Sequence, residues 1–281
     1  MKNILYATDY SENSIAALNF AHFFAEKLNA KLLVMHVFDI PVSVASPVSI
    51  SYIRKEKRLF AEHRAKLEDF CAEHLGDKLK TINLELLVDE DGSTSDGIIE
   101  KVIDHNVDLA VVGTKGASAV KEFIFGSTAK ALIRKAPCAV LAVPETSNTK
   151  YCKTIVYASD FEKADIFAIR RLAKIAEAFD AIIRVIHITT KKEYVGDQQL
   201  QWFKEMVQQK VDYNKLEYNL IYSENIYEKL LSSLLEKEAD LLVMLERKDK
   251  GVIRKLFDRD MVLRMESNIG IPLLSYSVGV L

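Results

Sequence analysis

The sequence predicts an α/β protein of two tandem Rossmann-like, doubly wound domains, each a five-stranded, mainly parallel sheet with helices on both faces. Three observations lead there. The chain repeats itself, β-rich and helical patterns alternate within each copy, and the strand segments read as continuous apolar runs. At 281 residues the chain is comfortable for two domains.

The repeat is legible without a gap. "ILYATDYSENSIAALNFAHFFAEKLNAKLLVMHV" (4–37) aligns with "IVYASDFEKADIFAIRRLAKIAEAFDAIIRVIHI" (155–188) at an offset of 151. Ile4, Tyr6, Ala7 and Asp9 match Ile155, Tyr157, Ala158 and Asp160, while Thr8 becomes Ser159 and Tyr10 becomes Phe161. Ala17, Ala25, Glu26, Ala30, Val34 and His36 match Ala168, Ala176, Glu177, Ala181, Val185 and His187. The polar stretch "ETSNTKYCK" (145–153) separates the copies, giving expected domains of 1–146 and 151–281.

Each element has its own warrant. "NILYAT" is a short β-rich run ending in Asp9, and Ser11 is placed to cap the next helix. Ile15, Leu18, Ala21, His22, Ala25 and Leu28 recur at helical spacing. "KLLVMHV" has the unbroken apolar character of a strand buried on both faces. "INLELLV", "VDLAVVG" and "CAVLAVP" supply three more strands, and "SDGIIEKVIDH" a helix. The second copy repeats the order with "TIVYAS", "AIIRVIHI", "LEYNLIY", "ADLLVML" and "IPLLSYS". Such alternation implies right-handed crossovers. Residues 39–60, with two prolines and several serines, read as a long loop that could lie over a pocket or form a plain surface excursion.

Composition narrows the function. Charged residues make up 28 % of the chain and nearly cancel to a net −2, against a nucleic-acid binder. Cys71, Cys138 and Cys152 are far apart, without zinc spacing, and read as thiols of a reducing compartment. The first strand begins within three residues of Met1, leaving no room for a signal peptide, and no apolar run is long enough to span a bilayer. The expectation is a soluble cytoplasmic protein without nucleic-acid or membrane partners.

The densest punctuation is "GTKGASAVKEFIFGST" (113–128), which holds three of the ten glycines. Gly113 and Gly116 follow the fourth strand, where open parallel sheets bind ligands. Gly126, Ser127 and Thr128 open a helix, whose N–H groups and dipole favour an anion. Loop and helix end together can form a phosphate cradle of backbone N–H groups. Ordinary turn and cap chemistry explains each part equally well. No P-loop and no dinucleotide fingerprint is present. Asp9 is a candidate ligand-side carboxylate, or a turn residue. The histidines form no metal-binding spacing, His36 and His187 read as structural, and Trp202 reads as a packing residue in an amphipathic helix.

The G-x2-G-x9-G-[ST] spacing, with "ILYATDYSENS" and "LLVMHV", resembles the universal stress protein family, in a tandem two-domain form. The resemblance implies that Gly113, Gly116, Gly126, Ser127 and Thr128 hold the phosphates and ribose of ATP. It implies further that Ala7, Thr8 and Asp9 line the adenosine side, that Val37 meets the adenine, and that Asp9 helps place Mg²⁺. The second copy has Leu245, Lys248, Asp258 and Arg259 where Gly113, Gly116, Gly126 and Ser127 stand, so it is not expected to bind ATP the same way. Gly251 leaves a shifted turn open. The family's domains pair through their last strands. The resemblance therefore implies that "CAVLAV" and "PLLSYS" pair within the chain as a pseudo-dimer, and chains could pair further as a homodimer. The implied role is a nucleotide-responsive stress regulator acting on an unidentified protein partner, with no catalytic constellation and at most a weak ATPase. A nucleotide-hydrolysing or transferring enzyme and a nucleotide-free interaction scaffold are the rival classes.

Overall fold

The computed structural model describes residues 1–40, 50–114, 126–147, 151–190, 197–247 and 270–281. The N-terminal half runs β1 (Asn3–Ala7), α1 (Glu12–Leu28), β2 (Lys31–Phe38), α2 (Ile50–Leu75), β3 (Leu84–Glu90), α3 (Thr94–Asp104), β4 (Leu109–Gly113), α4 (Ser127–Lys135) and β5 (Ala139–Val143). The C-terminal half runs β6 (Thr154–Ala158), α5 (Lys163–Phe179), β7 (Ile182–Thr189), α6 (Asp197–Lys210), β8 (Leu216–Tyr222), α7 (Ile226–Glu236), β9 (Leu241–Glu246) and β10 (Leu273–Ser277).

The ten strands among the described residues form one sheet in the order β3-β2-β1-β4-β5-β10-β9-β6-β7-β8. Pairing is parallel within each half, and the halves join through the antiparallel pair β5–β10, where Leu274 faces Leu141. Every residue of β5 is buried. A separate N-terminal half would present that apolar strand as an open edge, a template for unwanted pairing. The partner strand removes the hazard.

Helices cover both faces. On one side α1, α2, α5 and α6 cover a core that includes Tyr6, Phe24, Leu67, Tyr157 and Phe203. On the other, α3, α4 and α7 cover Leu5, Met35, Leu132, Val156 and Leu242. Ile4 and Leu5 point to opposite faces and are both fully buried, which is why the strands read as unbroken apolar runs. Each such side chain contributes roughly 1.5–3 kcal/mol of burial. Phe179 of α5 lies 5.1 Å from Phe23 and 4.9 Å from Phe24 of α1, ring centre to ring centre, so one core crosses the boundary between halves.

The repeat extends to backbone detail. The six non-glycine residues with left-handed φ among the described residues are three matched pairs: Tyr10 and Phe161, Asn29 and Asp180, Asn106 and Glu238. Asn29 and Asp180 end α1 and α5, where a left-handed residue lets its N–H return to the last turn. Asp108 and Asp240 each accept backbone N–H bonds from the start of the first strand of their half.

Two readings need correction. Residues 50–60 are the first turns of α2, not loop. Phe60, Leu67, Phe70 and Cys71 recur at helical spacing, and the burial of the last three, with half-buried Phe60 packed on Phe38 of β2, sustains a helix that begins beyond both prolines. Residues 41–49 of that segment lie outside the described residues. Trp202 is 41 % exposed, because Phe203 takes the inward position of α6.

Candidate functional site

The order β3-β2-β1-β4-β5 reverses direction at β1, so a crevice opens between the carboxyl ends of β1 and β4. The register sets Tyr6 beside Val111 and Ala7 beside Met35, which brings Thr8, Asp9 and Val37 to the same end of the sheet as Gly113. There the chain closes the glycine segment on itself. The Gly126 N–H donates to the Thr114 carbonyl at 2.6 Å, and the Thr114 N–H donates to the Val143 carbonyl at 3.0 Å. Gly113 and the N-terminus of α4 therefore sit side by side, although twelve residues lie between Gly113 and Gly126 in sequence. Gly126 is the N-cap of α4 and has no side chain with which to cap, so the first-turn N–H groups lack the usual internal acceptor. Ser127 is exposed and Thr128 half-buried. Gly116, with the rest of 115–125, lies outside the described residues.

The other wall is a turn held by side chains. Buried Thr8 donates its N–H to the Met35 carbonyl at 2.9 Å. Its Oγ1 accepts the Tyr10 N–H at 3.0 Å and shares a 3.0 Å hydrogen bond with Ser14 Oγ. These contacts hold Tyr10 at φ 64°, the left-handed conformation that turns the chain from β1 into α1. Asp9 Oδ1 accepts from the Ser11 N–H at 3.0 Å and from its hydroxyl at 2.6 Å. The turn reading of Asp9 thus holds. Ser11 stands at the N-cap, but its hydroxyl goes to Asp9 rather than to the helix. Val37 is half-buried on the α3 face. A Cβ on Gly97 would lie 3.1 Å from Asp91 Cβ and 3.4 Å from Val37 Cγ1, so α3 starts close against the end of β2.

Behind the turn lies an aromatic stack that motif reading did not reveal. Tyr10, His36, His63, Phe38 and Phe70 pack ring to ring, with Lys66 Nζ 4.1 Å above the Tyr10 ring. His36 donates from Nδ1 to the Thr8 carbonyl at 2.9 Å, and His187 repeats this with Ser159 at 2.7 Å, which fits their structural reading. Burial lowers the pKa of His36 against that hydrogen bond, and it lowers His63 together with nearby Lys66.

The corresponding crevice of the C-terminal half is built differently. Leu245, 5 % exposed, is the last residue but one of β9 and stands at the register position that Gly113 holds at the end of β4. Lys248, Gly251, Asp258 and Arg259 lie outside the described residues. The turn itself persists: Ser159 Oγ accepts the Phe161 N–H at 2.9 Å, and Phe161 has φ 56°. Where α1 carries Ser14, however, α5 carries Asp165, 1 % exposed. Its carboxylate accepts from Tyr157 Oη, Ser159 Oγ, the Asp160 and Glu162 N–H groups, and Arg247 Nη2, all between 2.8 and 3.1 Å. Arg247 Nη1 also meets Asp160 at 2.8 Å and Glu162 at 3.0 Å. Burial opposes the charge on Arg247, but the surrounding carboxylates outweigh it and raise its pKa. Burial raises the pKa of Asp160 in spite of Arg247. The signal for this cluster lay in the repeat alignment: a serine replaced by aspartate, and an arginine two residues past Leu245.

Comparison with known proteins identifies the family and the fold. A family model described as the universal stress protein family matches residues 1–144. A universal stress protein of Staphylococcus aureus (strain USA300) is 35 % identical over 144 residues, covering 50 % of this chain and 83 % of the relative. Over the whole length, the crystal structure of a universal stress protein from Archaeoglobus fulgidus DSM 4304 superposes with a TM-score of 0.67 at 17 % identity, covering 98 % of both chains. A universal stress protein structure from Pseudomonas aeruginosa UCBPP-PA14 gives 0.64 at 15 % identity, covering 99 % of this chain and 93 % of the other. The last two show a shared fold across both halves, and the match to the first half establishes that this chain belongs to the universal stress protein family.

Proposed function

We propose that the N-terminal half binds ATP and that the protein is a cytoplasmic, nucleotide-responsive stress regulator acting through a protein partner. In this reading Gly113, Gly116, Gly126, Ser127 and Thr128 hold the phosphates and ribose. Ala7, Thr8 and Asp9 line the adenosine side, and Val37 meets the adenine. The functional units are 1–146 and 151–281, and only the first takes ATP.

The observation that carries the reading is the 2.6 Å bond from the Gly126 N–H to the Thr114 carbonyl. It sets an uncapped helix N-terminus beside a strand-ending glycine at the switch point of a parallel sheet. That is the arrangement in which backbone N–H groups and a helix dipole hold phosphate oxygens with little help from basic side chains. Mg²⁺ would screen the phosphate charge. Among the described residues no group of three or more His, Cys, Asp or Glu side chains could hold a metal alone. The ion would therefore come with the nucleotide, with Asp9 as the protein carboxylate nearest the turn. No helix among the described residues is long and apolar enough to cross a membrane.

The test is calorimetric titration of ATP into the full chain and into Gly113→Leu. The substitution copies Leu245, so the fold has a precedent for it within the same molecule. One nucleotide per wild-type chain and loss of binding in the variant are expected. Two per chain, or unchanged binding in Gly113→Leu, would refute the reading.

A further inference from the structure

The C-terminal crevice carries a second assignment. Its mouth lies between the carboxyl ends of β6 and β9, the counterpart of the β1–β4 crevice. Three carboxylates converge there on one guanidinium: Asp160 at 2.8 Å, Glu162 at 3.0 Å and Asp165 at 2.8 Å. The Arg247 side chain is only 11 % exposed, so this is no surface ion pair. Its fork engages different carboxylates through Nη1 and Nη2, a geometry a lysine cannot reproduce. Asp165, the innermost carboxylate, is also held by two hydroxyls and two backbone N–H groups. Among the described residues of this cluster, three acids stand against one arginine charge, surroundings that suit a planar cation.

We propose that the C-terminal crevice is a guanidinium site filled in cis by Arg247, a built-in plug rather than an open ligand pocket. The arginine supplies the counter-charge that buried Asp165 would otherwise lack, and it also pairs with half-buried Asp160 and exposed Glu162. It also links the end of β9 to the turn between β6 and α5. The ligand class that fits the place, when Arg247 is removed, is a small alkylguanidinium.

Thermal unfolding of the full chain tests this directly. Breaking one side of a buried pair leaves the other uncompensated, so Arg247→Ala should lower the melting temperature by roughly 10 °C. Methylguanidinium at millimolar concentration should restore part of that loss saturably. Methylammonium should not, and the wild type should not respond. Asp165→Ser/Arg247→Ala installs the residue found at Ser14 and removes the innermost lone charge. It should melt above Arg247→Ala, fold even where the single variant does not, and no longer respond to methylguanidinium. An Arg247→Ala variant as stable as wild type, equal methylguanidinium responses in variant and wild type, or a double variant no better than the single one would each overturn the proposal. None of these readouts involves ATP, so they stand apart from the titration of the N-terminal crevice.

Discussion

Thr8→Val isolates the hydroxyl that shapes the β1–α1 turn. Valine keeps the volume and removes both hydrogen bonds of Oγ1, the 3.0 Å bond from the Tyr10 N–H and the 3.0 Å bond shared with Ser14 Oγ. Thr8 is 6 % exposed, so water cannot readily replace them. An orphaned buried polar group costs about 1–3 kcal/mol, and a left-handed non-glycine residue persists only where its surroundings hold it. Taking about 2 kcal/mol, the melting temperature should fall by about 4–8 °C for a domain of this size. Thr8→Ser keeps the oxygen, as Ser159 does at the matching turn, and should stay near wild type. The turn also presents Asp9, so ATP affinity should weaken in Thr8→Val and survive in Thr8→Ser. Circular dichroism melts and calorimetric titration read the two effects. A Thr8→Val protein that melts with wild type, or a Thr8→Ser protein that falls equally far, would refute the argument that one hydroxyl sets this turn.

Two further outcomes follow from the packing. Phe179→Ala removes a ring, 5 % exposed, that joins α5 to Phe23 and Phe24 of α1. It should cost about 3–5 kcal/mol in chemical denaturation, and a loss no larger than a surface substitution gives would show that the halves do not share a core. The His36 and His63 pKa values are both lowered in the fold, so the unfolded chain binds those protons more readily. Their contribution is fully present above the unfolded value, near about 6.5, and is lost as pH falls toward the lowered folded values. Asp9 opposes the shift at His36 and Glu62 that at His63, while Lys66 adds to both. His63→Gln should flatten the acid limb of a stability–pH curve, and parallel curves for variant and wild type would count against the stack as its source.

The sheet was legible because its physics is local and repeated. Apolar runs such as "KLLVMHV" require burial on both faces, and the alignment at an offset of 151 doubled every inference. The glycine segment was legible as spacing, since Gly113 and Gly126 belong to a strand end and a helix start that topology must bring together. The start of α2 was not. Its first turns carry Ser51, Arg54, Lys55 and Lys57, and what makes them helical is the later run of Phe60, Leu67 and Phe70 docking on the sheet. Arg247 was also missed, because a salt bridge between residues more than eighty positions apart leaves no local periodicity.

The two halves share one scaffold and differ in the residues at their crevices. The parts that set the fold are separate from the glycine positions. Asp108 and Asp240 pin the first strands, His36 and His187 hold the strand-one carbonyls, and Tyr10 and Phe161 turn left-handed, all alike in both copies. The glycines set none of these features, so Leu245 could replace Gly113 without disturbing them. Ser14 and Asp165 sit at the join between the two sets. Each meets a strand tyrosine and the hydroxyl at the strand end, but Tyr6 reaches a carbonyl of Ser14 while Tyr157 reaches the carboxylate of Asp165. Once a buried carboxylate stands there, a cation must follow it, since a lone buried charge is costly. Arg247 is that cation, and it directly follows β9, the strand whose end forms the crevice. A change of one small buried side chain thus couples the fold of the second half to the closing of its crevice. In the first half the uncharged Ser14 imposes no such demand.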